Sequence, residues 1–271
     1  MLLLITSSCS GNVSQAPDAN SVNTSTEAVS ETAVPADSEE YILPEYYDYS
    51  GGELPADIVT PIEYTVERQI SADKPVFSFE IYGRTVQSYR LMFDETKYYI
   101  DSGNNKVQKI VVECSPLSYH QELMFEETDI PDIPETTFGF DLDDWNFDGY
   151  LDISLWKDRG GTSLNAPHYY WLWDNEQGRF VINKELGDLS EETYVGLDYS
   201  AQELIASIKN PNGSYEEYYV WKDGGISLQR TVNTTFDEPA DSTGKYRAHI
   251  TVKEPIDGEM QVTAEYYDDS L

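Results

Sequence analysis

The chain has 271 residues, with 17 Lys and Arg against 50 Asp and Glu and a formal charge of −33. That balance excludes a nucleic-acid binder, because holding phosphates needs clustered cations, and it disfavours an anionic membrane surface; a basic protein or a divalent cation is the natural complement. The length admits one domain of roughly 150–200 residues plus a disordered segment, and 21 Tyr with 5 Trp favour half-buried pleated strands.

In chain order, the first feature is Met1-Leu2-Leu3-Leu4-Ile5-Thr6-Ser7-Ser8-Cys9. A short apolar run, small residues and then Cys resembles the end of a bacterial lipoprotein signal peptide. The resemblance implies a lipid on Cys9, anchorage to a bacterial membrane outside the cytoplasm (periplasm or cell surface), and a basic leader upstream of Met1. Residues 1–9 are accordingly read as residual signal peptide and lipidated Cys. Residues 10–60 are Ser-, Thr- and acid-rich with little to bury, so they are expected to stay a disordered tether. The stretch 41–60, with Tyr46, Tyr47 and Tyr49, is intermediate and expected to dock loosely on the folded domain. The first cation of the whole chain is Arg68.

Residues 61–271 are read as one all-β domain. Runs of strand character fall at 76–82, 85–93, 97–101, 106–113, 137–141, 151–156 and 169–173. They continue at 179–182, 194–198, 203–208, 217–221, 226–232, 245–252 and 260–266. Between them lie Gly-, Asn- and Asp-rich connectors such as 101–105, 174–178, 210–213, 223–225 and 257–258, residue types that tolerate the positive φ of tight turns. Close spacing with short turns implies antiparallel pairing, since parallel pairing needs long crossovers. The expected architecture is an antiparallel meander forming a curled sheet, a sandwich or a propeller-like barrel. At most 183–189 makes a helical turn or two. Cys114, in an apolar run, reads as a reduced, half-buried packing residue.

One motif carries chemistry. Asp144-Trp145-Asn146-Phe147-Asp148-Gly149-Tyr150-Leu151-Asp152 contains D-x-N-x-D-G-x-x-D. Oxygen side chains at positions one, three and five (Asp144, Asn146, Asp148) suit a hard cation, and Gly149 at position six permits the sharp turn. The carbonyl of Tyr150 at position seven and Asp152 at position nine complete the set. Carboxylate and amide oxygens select Ca²⁺ over softer metals. Leu155 stands where an EF-hand has its bidentate Glu, and the flanks read as strands, which excludes an EF-hand. A pinned loop is the expected role of such a metal.

No enzymatic constellation stands out. His120, His168 and His249 fall on separate segments without metal-binding spacing, and no G-x-S-x-G occurs. An excess of acids makes any carboxylate pair uninformative, so a hydrolase with unassigned carboxylates stays open as a third reading. No catalytic residue is singled out.

The block 144–189 resembles the calcium-binding lysozyme-inhibitor-like bacterial lipoproteins. The matching residues are Asn146-Phe147-Asp148-Gly149-Tyr150-Leu151-Asp152, His168-Tyr169-Tyr170-Trp171-Leu172-Trp173-Asp174, Gly178-Arg179-Phe180 and Glu185-Leu186. The metal loop alone also resembles FG-GAP/VCBS and dockerin loops. The resemblance implies a fold akin to the periplasmic inhibitor of invertebrate-type lysozyme. It also implies a role as an immunity protein against peptidoglycan hydrolases delivered by secretion systems. Its implied action is occlusion of a basic, lysozyme-like enzyme by the loop 158–166, through Gly160, Gly161, Thr162, Ser163 and Asn165. The alternative is a glycan- or polymer-binding surface module using the aromatic faces of Tyr169, Trp171 and Trp173.

Overall fold

The computed structural model describes residues 45–101, 103–131, 137–159, 166–236 and 247–268. Cys9, the tether up to residue 44, and the loop residues Gly160, Gly161, Thr162, Ser163 and Asn165 lie outside the described residues. The described residues belong to a unit spanning Pro44–Leu271, so strand pairing begins before residue 61.

The chain builds antiparallel sheets in succession. The first half gives β1 (Tyr47–Asp48), β2 (Ile58–Gln69), β3 (Val76–Gln87), β4 (Tyr89–Leu91), β5 (Lys97–Ile100), β6 (Asn104–Cys114), β7 (Tyr119–Met124) and β8 (Ile130–Pro131). Of these, β2-β3-β6-β7 form a first sheet with β8 paired to β6, while β1-β5-β4 form a small separate sheet. Next come β9 (Phe140–Asp143), β10 (Asp152–Trp156), β11 (His168–Asp174) and β12 (Arg179–Ile182), a four-stranded meander. The one α-helix among the described residues, α1 (Lys184–Glu192), leads into a six-stranded meander. Its strands are β13 (Tyr194–Asp198), β14 (Glu203–Asn210), β15 (Gly213–Lys222), β16 (Gly225–Phe236), β17 (Ala248–Ile256) and β18 (Glu259–Asp268). The all-β antiparallel expectation holds, and among the described residues no sheet closes into a barrel.

The four-stranded sheet is the middle layer. One face carries Phe140, Ile153, Leu155, Trp171, Trp173 and Phe180 onto Phe77, Phe79, Ile81, Ile110, Val112 and Leu123 of the first sheet. Each of these fully buried aliphatic and aromatic side chains contributes roughly 1.5–3 kcal/mol. Its other side packs Tyr170 with Trp145, Leu186, Val195 and Leu204, joining helix and third sheet in a second core. Period-2 alternation therefore sends apolar groups to both faces, which explains the near-continuous run Tyr169–Trp173.

Several local readings change. Gly83 does not end a strand: β3 runs through it, with a bulge against β6 between Tyr82 and Gly83. A Cβ there would sit 2.2 Å from the Lys106 carbonyl oxygen, so only glycine allows that approach. Strand β2 is missing from the sequence reading, which puts residues up to 60 in the tether and begins its strands at 76, and it carries Pro61. As the edge of its sheet it tolerates a residue with no ladder donor. Strand β7 is also missing from the sequence reading. Cys114 is free and fully buried rather than half-buried, since it shares the inward face of β6 with Ile110 and Val112. The helix is longer than a turn or two. Asn183 caps it, its side chain accepting from Leu186 N at 2.9 Å, and buried Leu186 anchors it.

Candidate metal centre

The motif occupies the hairpin loop between β9 and β10, whose last register pair is Asp143 with Asp152. Its sequence splits into two sets. The intervening apolar residues are the anchors: Trp145 and Phe147 pack into the second core, Tyr150 and Leu151 into the first. The oxygen-bearing residues are left to turn onto the loop's own backbone.

Asp144 accepts from Asp148 N at 3.0 Å through Oδ1 and from Gly149 N at 2.9 Å through Oδ2. The Asn146 amide oxygen accepts from Asp148 N at 3.1 Å, and Asp148 Oδ1 accepts from Tyr150 N at 2.9 Å. Phe147 (φ 59°) and Gly149 (φ 87°) supply the left-handed backbone of the turn. A carboxylate oxygen has two lone pairs, so one N–H bond each leaves acceptor capacity inside the loop. Asp152 lies beneath, fully buried. Its two oxygens accept from Trp145 N (2.9 Å) and Trp173 N (2.8 Å).

Electrostatically this is a site short of positive charge. Burial pushes the Asp152 carboxyl up to about 8, against the pull of its two backbone donors, and Asp148 and Asp144 push the same way. Asp144 is also raised, mainly by burial. A carboxylate cluster whose charged form is penalised by desolvation is relieved by a cation. The donors are all hard oxygens, the chemistry of Ca²⁺ rather than of zinc or copper. Among the described residues no three His, Cys, Asp or Glu side chains converge as a metal cage. Asn146 and the Tyr150 carbonyl belong to the donor set outside that count, and Asp152 is turned to its backbone partners.

Comparison with protein-family models gives no match, and comparison with curated proteins gives none. Among solved structures, a Xanthomonas type IV secretion system related protein is similar over 75% of this chain and 99% of its own, with a TM-score of 0.52 and 14% identity. At that identity the likeness is one of fold.

The other candidate residues are dispersed. His120 on β7 pairs with Glu113 (3.1 Å), and His249 on β17 stacks on Tyr267 and meets Glu265 at 2.8 Å. His168 on β11 contacts the Ala166 carbonyl at 2.5 Å, and burial lowers its pKa. The three aromatics of the glycan reading are unequally placed, with Tyr169 half-buried. Trp171 and Trp173 are 3% and 4% exposed, their faces spent on the main core because β11 is covered on both sides. Sequence reasoning also missed what binds the metal loop to its surroundings. Leu151 N donates to Ile70 O (2.7 Å), Trp221 Nε1 donates to Trp145 O (2.8 Å), and the Tyr199 hydroxyl donates to Asp143. The apolar residues at alternate loop positions were the available signal. Among the described residues no helix is long and apolar enough to cross a membrane.

Proposed function

We propose that this protein is an extracytoplasmic, lipid-anchored β-protein that holds a structural Ca²⁺ and binds and inhibits a lysozyme-like peptidoglycan hydrolase. The observation that carries the reading is spatial. The segments bearing the resemblance, 144–152, 168–174 and 178–186, fold as one piece, namely the metal loop, β10–β12 and the start of α1. Likeness in fold to a protein related to a secretion system is compatible with the extracytoplasmic location.

In this reading Asp144, Asn146, Asp148 and the Tyr150 carbonyl hold the ion, with Asp152 acting directly or through water. The ion supplies positive charge that lets the buried carboxylates ionise, and it fixes the β9–β10 loop. The contacting loop 158–166 springs from a closed base: Lys157 N donates to Pro167 O (2.7 Å), and the Lys157 ammonium pairs with Glu191 (2.5 Å). A formal charge of −33 draws a basic enzyme and speeds its capture. Cys9 carries the lipid, and the segment up to about residue 44 spaces the folded part from the membrane.

Titrating the purified chain into basic lysozymes of the chicken, goose and invertebrate types is the test, with calcium and with chelator. Stoichiometric loss of activity with at least one type, weakened by chelator, is expected. Full lysozyme activity at tenfold excess of the protein sinks the inhibitor reading.

A further inference from the structure

Strands β3 and β6 are direct neighbours, paired to Val86 with Asn104. A hairpin so paired needs a loop of only about two to five residues. Instead the chain spends 87–103 on a second hairpin, β4–β5, closed at its base by Asp101 N donating to Ser88 O (2.9 Å). Its further partner is the two-residue β1. A three-stranded sheet this short adds little stability of its own, and the main sheet does not require it.

What the appendage displays is aromatic. The register sets Tyr47, Tyr98 and Leu91 side by side on one face, with Tyr89 and Ile100 on the same face by alternation. Tyr47 stacks on Tyr98 (centroids 5.3 Å), and Tyr89 meets Tyr98 edge-on (5.6 Å). At the turn, Phe93 is fully exposed, and Leu91 and Tyr47 are each 37% exposed. On this side Glu45 accepts from the Tyr47 hydroxyl (2.7 Å), and Asp94 and Glu95 stand at the turn beside Phe93; by the same alternation Asp48, Lys97 and Arg90 fall on the opposite face, where Asp101 holds Arg90 at 3.2 Å. Rigid tyrosines and an exposed phenylalanine inside a polar, net-negative rim have the anatomy of a protein interface, not of a packed surface.

We infer that the aromatic face of the β4–β5 hairpin is the docking surface for a basic protein, with Leu91 and Phe93 entering an apolar recess and the acidic rim facing cations around it. This rests on the function proposed above, and it adds to the loop 158–166 a second, separate surface that contacts the hydrolase.

The test compares three forms of the full chain for binding to the same three lysozymes: wild type, the Leu91→Ser/Phe93→Ser double variant, and Val262→Ser. Val262 is an equally apolar, exposed residue on β18. Circular dichroism and melting temperature verify that each form is folded. The inference expects at least a tenfold loss of affinity in the double variant and wild-type affinity in Val262→Ser. Equal affinities in all three overturn the docking surface and leave the inhibitor reading standing. Silence of the wild type toward every lysozyme instead overturns the inhibitor reading and the inferred partner together, so the two failures look different. Wild-type flotation with phosphatidylcholine–phosphatidylglycerol vesicles, or concentration-dependent dimerisation, either of them lost in the double variant, would assign the patch to lipid or to a second copy and overturn the proposal.

Discussion

Tyrosine is the residue that lets so acidic a chain fold as sheet. Tyr47, Tyr82, Tyr218 and Tyr219 each donate a hydroxyl to a glutamate two residues back: Glu45 (2.7 Å), Glu80 (2.5 Å), Glu216 (2.7 Å) and Glu217 (2.6 Å). Residues two apart share a strand face, so the ring covers the sheet while the hydroxyl holds the carboxylate. Histidine gives the clearest titration. His168 is neutral by preference, since burial lowers its pKa, and the Ala166 carbonyl and Asp141 oppose this only in part. An unfolded chain protonates that ring near its ordinary pKa of about 6.5, before the folded one does. The unfolded state therefore binds more protons there, and stability falls as pH drops below about 6.5. Melting temperatures between pH 7 and 5 should decline less steeply in His168→Gln than in the wild type. Parallel curves would mean that the ring carries no such linkage.

At the scale of elements, the third sheet and the metal hairpin follow local pattern, whereas the first sheet is shaped by its neighbours. Gly83 illustrates the difference. Its backbone lies so close to β6 that any Cβ meets the Lys106 carbonyl oxygen and Val107 Cα, at 2.2 and 2.9 Å. Backbone cannot rotate away as a side chain can, so Gly83→Ala forces the β3–β6 bulge apart. We expect a destabilisation of about 1–3 kcal/mol, measured by urea unfolding; an unchanged midpoint would show that the bulge relaxes freely. In the sequence Gly83 reads as a strand end because its meaning depends on a residue 23 positions away. The same holds for β2, whose Pro61 is disqualifying in a central strand and harmless at an edge. The β9–β10 loop was legible as a tight turn because all its oxygen-bearing residues lie within nine consecutive positions. The burial of Trp171 and Trp173 was not legible, because alternation shows two apolar faces without showing that both are covered. The β4–β5 hairpin was visible as strands but not as an appendage, since only the direct pairing of β3 with β6 makes it superfluous.

Across the whole molecule, the metal loop is where the layers meet. Leu151 ties it to the β2–β3 turn, Asp152 to β11 through Trp173 N, Trp145 to β15 through Trp221, and Asp143 to the β13–β14 turn through Tyr199. An ion held there stabilises more than eight residues of hairpin, because loosening the loop releases contacts to three of the four sheets. Ligand linkage at a free concentration of 100 times Kd contributes about 2.7 kcal/mol. In a domain of this size each kcal/mol moves the melting temperature by roughly 2–4 °C. Chelation should therefore lower it by about 5–10 °C, and Asp148→Ala should reproduce the shift and remove the response to calcium. Amide exchange locates the effect. Protection should fall at 144–151, at Trp173 and around 199–203. A melting temperature indifferent to calcium, chelator and Asp148→Ala alike would leave this loop as an acidic turn closed by its own backbone.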